Sequence, residues 1–152
     1  MCYLLFARTT LPLVQKEWRK ETTEVCAAPL NESEYPVAGN FAPGIVQVIS
    51  STSGCGCYFP FVEHQRGAWR WDDDLDDETI ANEQINREGL ARLLQTSEED
   101  FVELYGCWID KVREPIQDRE QVTLNDIVQS SFRFRELVLY RVSMRSTATT
   151  GE

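Results

Sequence analysis

Two thiols one residue apart, each preceded by a glycine, stand in the middle of this chain in Gly54-Cys55-Gly56-Cys57. Such a pair has three fates open to it. It can ligate a soft metal such as zinc or copper(I) at two points, close into a reducible disulfide, or do no chemistry, the glycines serving a tight turn and the cysteines filling core. On extended backbone, residues i and i+2 share a face with Cα atoms roughly 6.6 Å apart, at the upper edge of what a disulfide tolerates. Gly56 can bend the chain and shorten that gap. A closed tetrahedral zinc site needs two further ligands, and the candidates are Cys2, Cys26, Cys107 and the single histidine, His64. If residues 2 to 7 pair beside residues 44 to 50, Cys2 is the one that approaches Cys55 and Cys57. The apolar Tyr58-Phe59-Pro60-Phe61 directly after the pair is expected to raise a thiol pKa, which argues against an activated thiolate. His64 has no serine elbow or carboxylate orienter with it, so no catalytic residue is assigned.

A second group of residues suggests binding rather than chemistry. Trp69 and Trp71 flank Arg70 and precede the acidic run Asp72-Asp73-Asp74-Leu75-Asp76-Asp77-Glu78. Asp72, Asp74, Asp76 and Glu83 fit positions 1, 3, 5 and 12 of a calcium loop, but Asp77 stands where that loop requires glycine. A solvated acidic loop is the expected reading, since clustered carboxylates repel one another and stay in water. With the two tryptophans it forms the competing functional hypothesis, a non-catalytic interaction module using the Trp69–Glu78 surface.

The composition narrows the field. The chain has 152 residues, 42% of them hydrophobic, and a formal net charge of −10, which predicts one acidic domain with no nucleic-acid partner. No stretch approaches the roughly 20 apolar residues of a membrane span. The opening Met1-Cys2-Tyr3-Leu4-Leu5-Phe6-Ala7-Arg8 lacks the basic region of a secretory signal, so a cytoplasmic protein is expected, with a protein partner or a homo-oligomer open. Five cysteines without a repeating spacing read as free thiols.

The elements that must position the thiols follow from periodicity. Residues 2 to 7 form a continuous apolar run, read as a buried strand. Residues 13 to 20 read as a helical turn with Val14 and Trp18 on one face, and residues 22 to 27 as a second strand closed by Pro29. Pro36, Gly39, Pro43 and Gly44 punctuate a stretch read as loop, and residues 44 to 50 form a strand alternating around Gln47. Residues 62 to 85 read as a long acidic surface loop. Asn86 reads as the N-cap of a helix to about Gln95, with Leu90, Leu93 and Leu94 inward. Residues 101 to 105 read as a strand, 123 to 129 as a short capped helix, and 132 to 142 as the last strand; 146 to 152 read as a disordered tail. The expected fold is α+β, a single domain over residues 1 to 145, with a mixed or mostly antiparallel sheet of about five strands and two or three helices.

Two resemblances come from these residues. The Met1-Cys2 opening with its apolar strand, the strand and Ser/Gly turn leading to Gly54-Cys55-Gly56-Cys57, and Phe101-Val102-Glu103-Leu104-Tyr105 with Phe132-Arg133-Phe134-Arg135-Glu136 together resemble a family of small uncharacterised bacterial proteins. That resemblance implies a shared fold and a recurring cysteine element, with no activity to carry over, and Tyr58 stands where similar proteins often have a further glycine. The opening is also similar to that of amidotransferases of the N-terminal nucleophile class, in which Met removal exposes a cysteine as nucleophile and base. The chain is much shorter than such a catalytic domain, and no matching oxyanion or substrate motif follows.

Overall fold

The computed structural model describes residues 2–21, 24–62 and 77–145. Its centre is β1 (Tyr3–Thr9), whose first five residues, Tyr3–Ala7, are an unbroken apolar run because both faces are covered there. Tyr3, Leu5 and Ala7 point into one core cluster, Leu4 and Phe6 into another on the opposite face of the sheet. The other strands are β2 (Cys26–Pro29), β3 (Ile45–Ser50), β4 (Phe101–Trp108), β5 (Asp118–Thr123) and β6 (Val138–Ser143). They form one six-stranded sheet in the order β2-β3-β1-β4-β6-β5, antiparallel except for the β5–β6 pair. With helices packed on such a sheet the fold is α+β.

One face carries α1 (Asp77–Gln95), whose inward stripe is Glu83, Asn86, Arg87, Leu90, Ala91 and Leu94. The spacing is the 3/4 alternation of a helix face, but the first half of the stripe is polar. That explains the difference from the expected loop over residues 62 to 85 and helix start at Asn86: residues 77 to 85 are helical, and Asn86 is a buried mid-helix residue. Glu83 and Asn86 do not look out to water. Glu83 is 3% exposed and takes a two-pronged ion pair from Arg133 (2.8 and 3.3 Å), so it is not the last ligand of a calcium loop. Arg87 donates to the Phe132 carbonyl. Hydrogen-bonded polar side chains thus fasten the N-terminal half of α1, and leucines bury the C-terminal half.

The opposite face is covered by a 3-10 helix, Glu32–Asn40, where loop was expected. Pro36 does not prevent it, and Asn31 caps it reciprocally with Glu34, an N-x-x-E capping box that marks the start in the sequence. Residues 13 to 20 are not helical, and Gln15 forms an isolated parallel bridge with Ala27. Gln47, which is 1% exposed, explains this: its side chain accepts from the Leu13 N–H (2.8 Å) and donates to the Leu13 carbonyl (3.0 Å). Lys16 N–H then reaches the Ala27 carbonyl of β2 (3.0 Å). The second strand therefore lies at Cys26–Pro29, later than residues 22 to 27.

The C-terminal part differs as well. Thr123 caps α2 (Leu124–Ile127) in a capping box with Asp126, at the expected place. β5 had no apolar alternation to announce it, being a charged edge strand held by its ladder to β6 and by Arg135 bridging Asp118 and Glu120. The last strand starts at Val138; before it, Phe134 pairs with Phe61 in an isolated parallel bridge, and Leu137 takes a left-handed φ of 63°. The tail at 146–152 lies outside the described residues. Among the described residues no helix is long and apolar enough to cross a membrane.

Leu90 is fully buried between α1 and the sheet, and Leu11 is 70% exposed. Leu90→Ala is expected to lower the unfolding free energy by about 2–5 kcal/mol in urea denaturation. Leu11→Ala should change it by no more than about 0.5 kcal/mol. Equal effects would show that α1 does not pack as described.

Candidate functional site

The polypeptide leaves β3 at Ser50 and turns sharply. The Ser51 N–H donates to the Cys55 carbonyl (2.6 Å) and the Gly54 N–H to the Ser51 carbonyl (2.9 Å). Gly54 has φ +88°, a left-handed conformation that disfavours any side chain, and a Cβ there would lie 3.1 Å from the Trp18 ring. Trp18 also donates its indole N–H to the Thr52 carbonyl (3.2 Å). From α1, Asn86 accepts from the Thr52 N–H (2.9 Å) and donates to the Thr52 hydroxyl (3.0 Å). The turn is thus fastened on two sides before it reaches the cysteines.

Gly56 then docks onto the head of β1. Its N–H donates to the Tyr3 carbonyl (3.1 Å), and a Cβ at this position would fall 2.9 Å from the Tyr3 carbonyl carbon. Only glycine permits backbone to approach backbone this closely. Tyr3 is itself wedged between aromatic rings, with Phe61 stacked at 4.2 Å and Trp108 at 3.9 Å between centroids. Cys2, one residue before Tyr3, donates no backbone freedom to the site either, because its carbonyl accepts from the Ile109 N–H (3.0 Å).

Cys2, Cys55 and Cys57 therefore converge. Their sulfurs all lie within 4.8 Å of one another, and each residue is partly exposed. Even at that upper limit, the centre of a triangle with 4.8 Å edges is about 2.8 Å from each corner, against a Zn–S bond of about 2.3 Å, so a small adjustment lets three thiolates reach one ion. A disulfide needs its sulfurs at about 2.0 Å, a larger movement, and all five cysteines are free thiols here. Cys26 and Cys107 play the core-filling part: both are buried, and burial raises both thiols, Cys107 to about 12. Among the described residues no fourth cysteine, histidine or carboxylate joins the three. His64, Trp69, Trp71, Asp72, Asp74 and Asp76 lie outside the described residues.

The two thiols of the motif differ sharply. Burial pushes the Cys55 thiol up, but hydrogen bonds from the Cys57 thiol, the Ser53 hydroxyl, the Cys57 N–H and the Cys2 thiol outweigh it and bring it below the ordinary thiol value. Two of these contacts are the Cys57 N–H at 3.3 Å and the Ser53 hydroxyl at 3.4 Å from Sγ. For Cys57, burial comes first and the hydrogen bond it gives to Cys55, with the charge there, comes second; together they push it up to about 12. The apolar surroundings expected from Tyr58-Phe59 account for Cys57. They do not decide Cys55, because the turn aims donors at its sulfur. The signal for this was present in Ser51-Thr52-Ser53, a polar run whose hydroxyls chain from Ser51 to Ser53 (2.8 Å) and on to Cys55.

A lowered pKa means thiolate at lower pH, so alkylation of Cys55 by iodoacetamide should rise at lower pH than for free cysteine. Cys57, Cys26 and Cys107 should label later, and Ser53→Ala should shift the Cys55 profile toward higher pH. Peptide mass mapping across a pH series reads this directly, and labelling of Cys57 in step with Cys55 would contradict it. Searched against known proteins, the chain matches no family model, no curated protein and no solved structure.

Proposed function

We propose that this protein holds a soft metal ion, copper(I) or zinc, on the thiolates of Cys2, Cys55 and Cys57. The observation that carries the reading is the convergence of Cys2 with the Cys55–Cys57 pair, two segments of chain about fifty residues apart joined by the Gly56–Tyr3 hydrogen bond. Soft sulfur donors select soft or borderline ions, and three thiolates suit a low-coordinate copper(I) directly. Zinc on the same set would need a fourth ligand such as water, the arrangement of an open site. Partial exposure gives an ion a way in, while the fastening of the turn by Asn86 and Trp18 keeps the donors close before it arrives.

Metal chemistry fits the three thiols better than thiol catalysis. Cys55 has donors around it but, among the described residues, no imidazole or carboxylate positioned as a base. Cys57 holds its proton up to about pH 12, which makes it a slow attacking thiol and yet no obstacle to ligation, since an ion displaces the proton. Binding therefore competes with protonation: affinity should climb with pH through the neutral range, by up to about tenfold per pH unit for each proton released.

The test is anaerobic titration of reduced protein with copper(I) and, separately, with zinc, read by thiolate charge-transfer absorption and by elemental analysis after desalting. One equivalent should be retained, and Cys2→Ser, Cys55→Ser and Cys57→Ser should each weaken binding on the order of a hundredfold. Gly56→Ala removes no ligand, yet should also weaken binding by separating Cys2 from the pair. Absence of uptake, with thiol reactivity unaltered by either ion, would sink the reading.

A further inference from the structure

At the other end of β1 the sheet carries a second feature unrelated to the thiols. The face covered by Val37 and Phe41 over Leu4, Phe6, Tyr105 and Leu139 runs on past that cover. One rung further, a cleft of about 530 Å³ opens between Ala42 and β5, with Leu139 in its lining and Arg8, Arg119 and Arg141 around it. The register sets Arg8 opposite Glu103 and Glu103 opposite Arg141 on three adjacent strands, an Arg–Glu–Arg row on one face.

Such a row would ordinarily close into ion pairs, since directly opposed side chains stand about 5 Å apart at Cβ. It does not. Arg8 turns aside and donates Nε and Nη2 to the Pro43 carbonyl (3.1 and 2.6 Å). The Arg141 guanidinium lies over the Phe101 ring, 3.9 Å from its centroid. Glu103 accepts from the Ala42 N–H instead (3.2 Å). Glu120, the other carboxylate of the cleft, is taken by Arg135 (2.9 Å). Among the described residues none of Arg8, Arg119 and Arg141 is in an ion pair.

The chain carries a net charge of −10, with 25 acidic residues against 15 basic ones, so a local gathering of arginines stands against the overall charge. Here three of them border one concave surface. Two are held in place by contacts that leave most of their N–H donors unused, so little ordering is left to be done on binding. Guanidinium forks match the planar oxygens of carboxylates and phosphates. We infer that this cleft binds a small anionic ligand, a carboxylate or a phosphate, held by Arg8, Arg141 and Arg119 with Leu139 beneath it. Glu103, between the first two arginines, sets a limit on affinity by repelling the anion.

Isothermal titration at low ionic strength with citrate and, in a separate arm, with inorganic phosphate tests this. One or both should bind, citrate alone indicating organic acids and phosphate alone indicating phosphate esters, with affinity falling as salt is raised. Arg8→Gln and Arg141→Gln should each weaken binding about tenfold, a loss of the size expected for one charge-assisted contact. Glu103→Gln keeps the acceptor for Ala42 and removes the like charge, so binding should tighten several-fold, a gain that a purely structural role would not produce. Cys55→Ser should leave the titration unchanged. No heat with either anion, no loss in Arg141→Gln, or weaker binding in Glu103→Gln would each overturn the assignment.

Discussion

β1 is hydrogen-bonded on both edges, to β3 and to β4, and buried on both faces. Every other element takes its place from that constraint. A strand so enclosed must be apolar through its buried part, Tyr3–Ala7, must lie in the middle of the sheet, and has only its two ends available for anything but packing. Tyr3 joins the packing to the site: its ring sits between Phe61 and Trp108 while its carbonyl accepts the Gly56 N–H. The core and the thiol cluster thus share a residue.

The two ends of β1 differ in character because different segments close over them. At the head, the turn after β3 folds back and sets Cys55 and Cys57 beside Cys2. At the tail, the cover over the opposite face stops at Ala42 and leaves Arg8 on a cleft. Cys2 and Arg8 are six residue steps apart along extended chain, a span of roughly 20 Å. The soft donors and the cationic cleft are therefore independent in chemistry and in space, and each can change without disturbing the other.

Within the thiol cluster, sequence adjacency says little about reactivity. Cys55 and Cys57 share a motif and an apolar neighbourhood, yet one is shifted down and the other up. The difference comes from which sulfur faces donors. Ser53 and the Cys57 N–H point at Cys55, whereas Cys57 is the donor in its own hydrogen bond and carries the cost of burial. A polar turn before the motif and an aromatic run after it produce this asymmetry only when the turn closes as it does here, with Gly54 left-handed against Trp18.

How much was legible in the sequence follows from where burial is apolar. The runs Tyr3–Ala7, Ile45–Ile49 and Phe101–Tyr105 are rich in apolar side chains and read as strands, although Ile45 and Phe101 stay exposed; Thr123 announces α2 because a capping box is local. The start of α1 was hidden, since Glu83, Asn86 and Arg87 face inward against hydrogen-bond partners far away in the chain, Arg133, Thr52 and Phe132. β5 was hidden for a related reason, its ladder to β6 being backbone hydrogen bonding that charged side chains do not betray. By itself the amino-acid sequence determined the α+β class, the apolar central strand and the presence of a cysteine pair framed by glycines, because these rest on local pattern and residue type. That Cys2 joins the pair, that Cys55 and not Cys57 is the lowered thiol, and that three arginines share one cleft were decided by tertiary structure. The first and the last depend on contacts between segments tens of residues apart, and the second on how the turn closes around Cys55, which residue types alone do not encode.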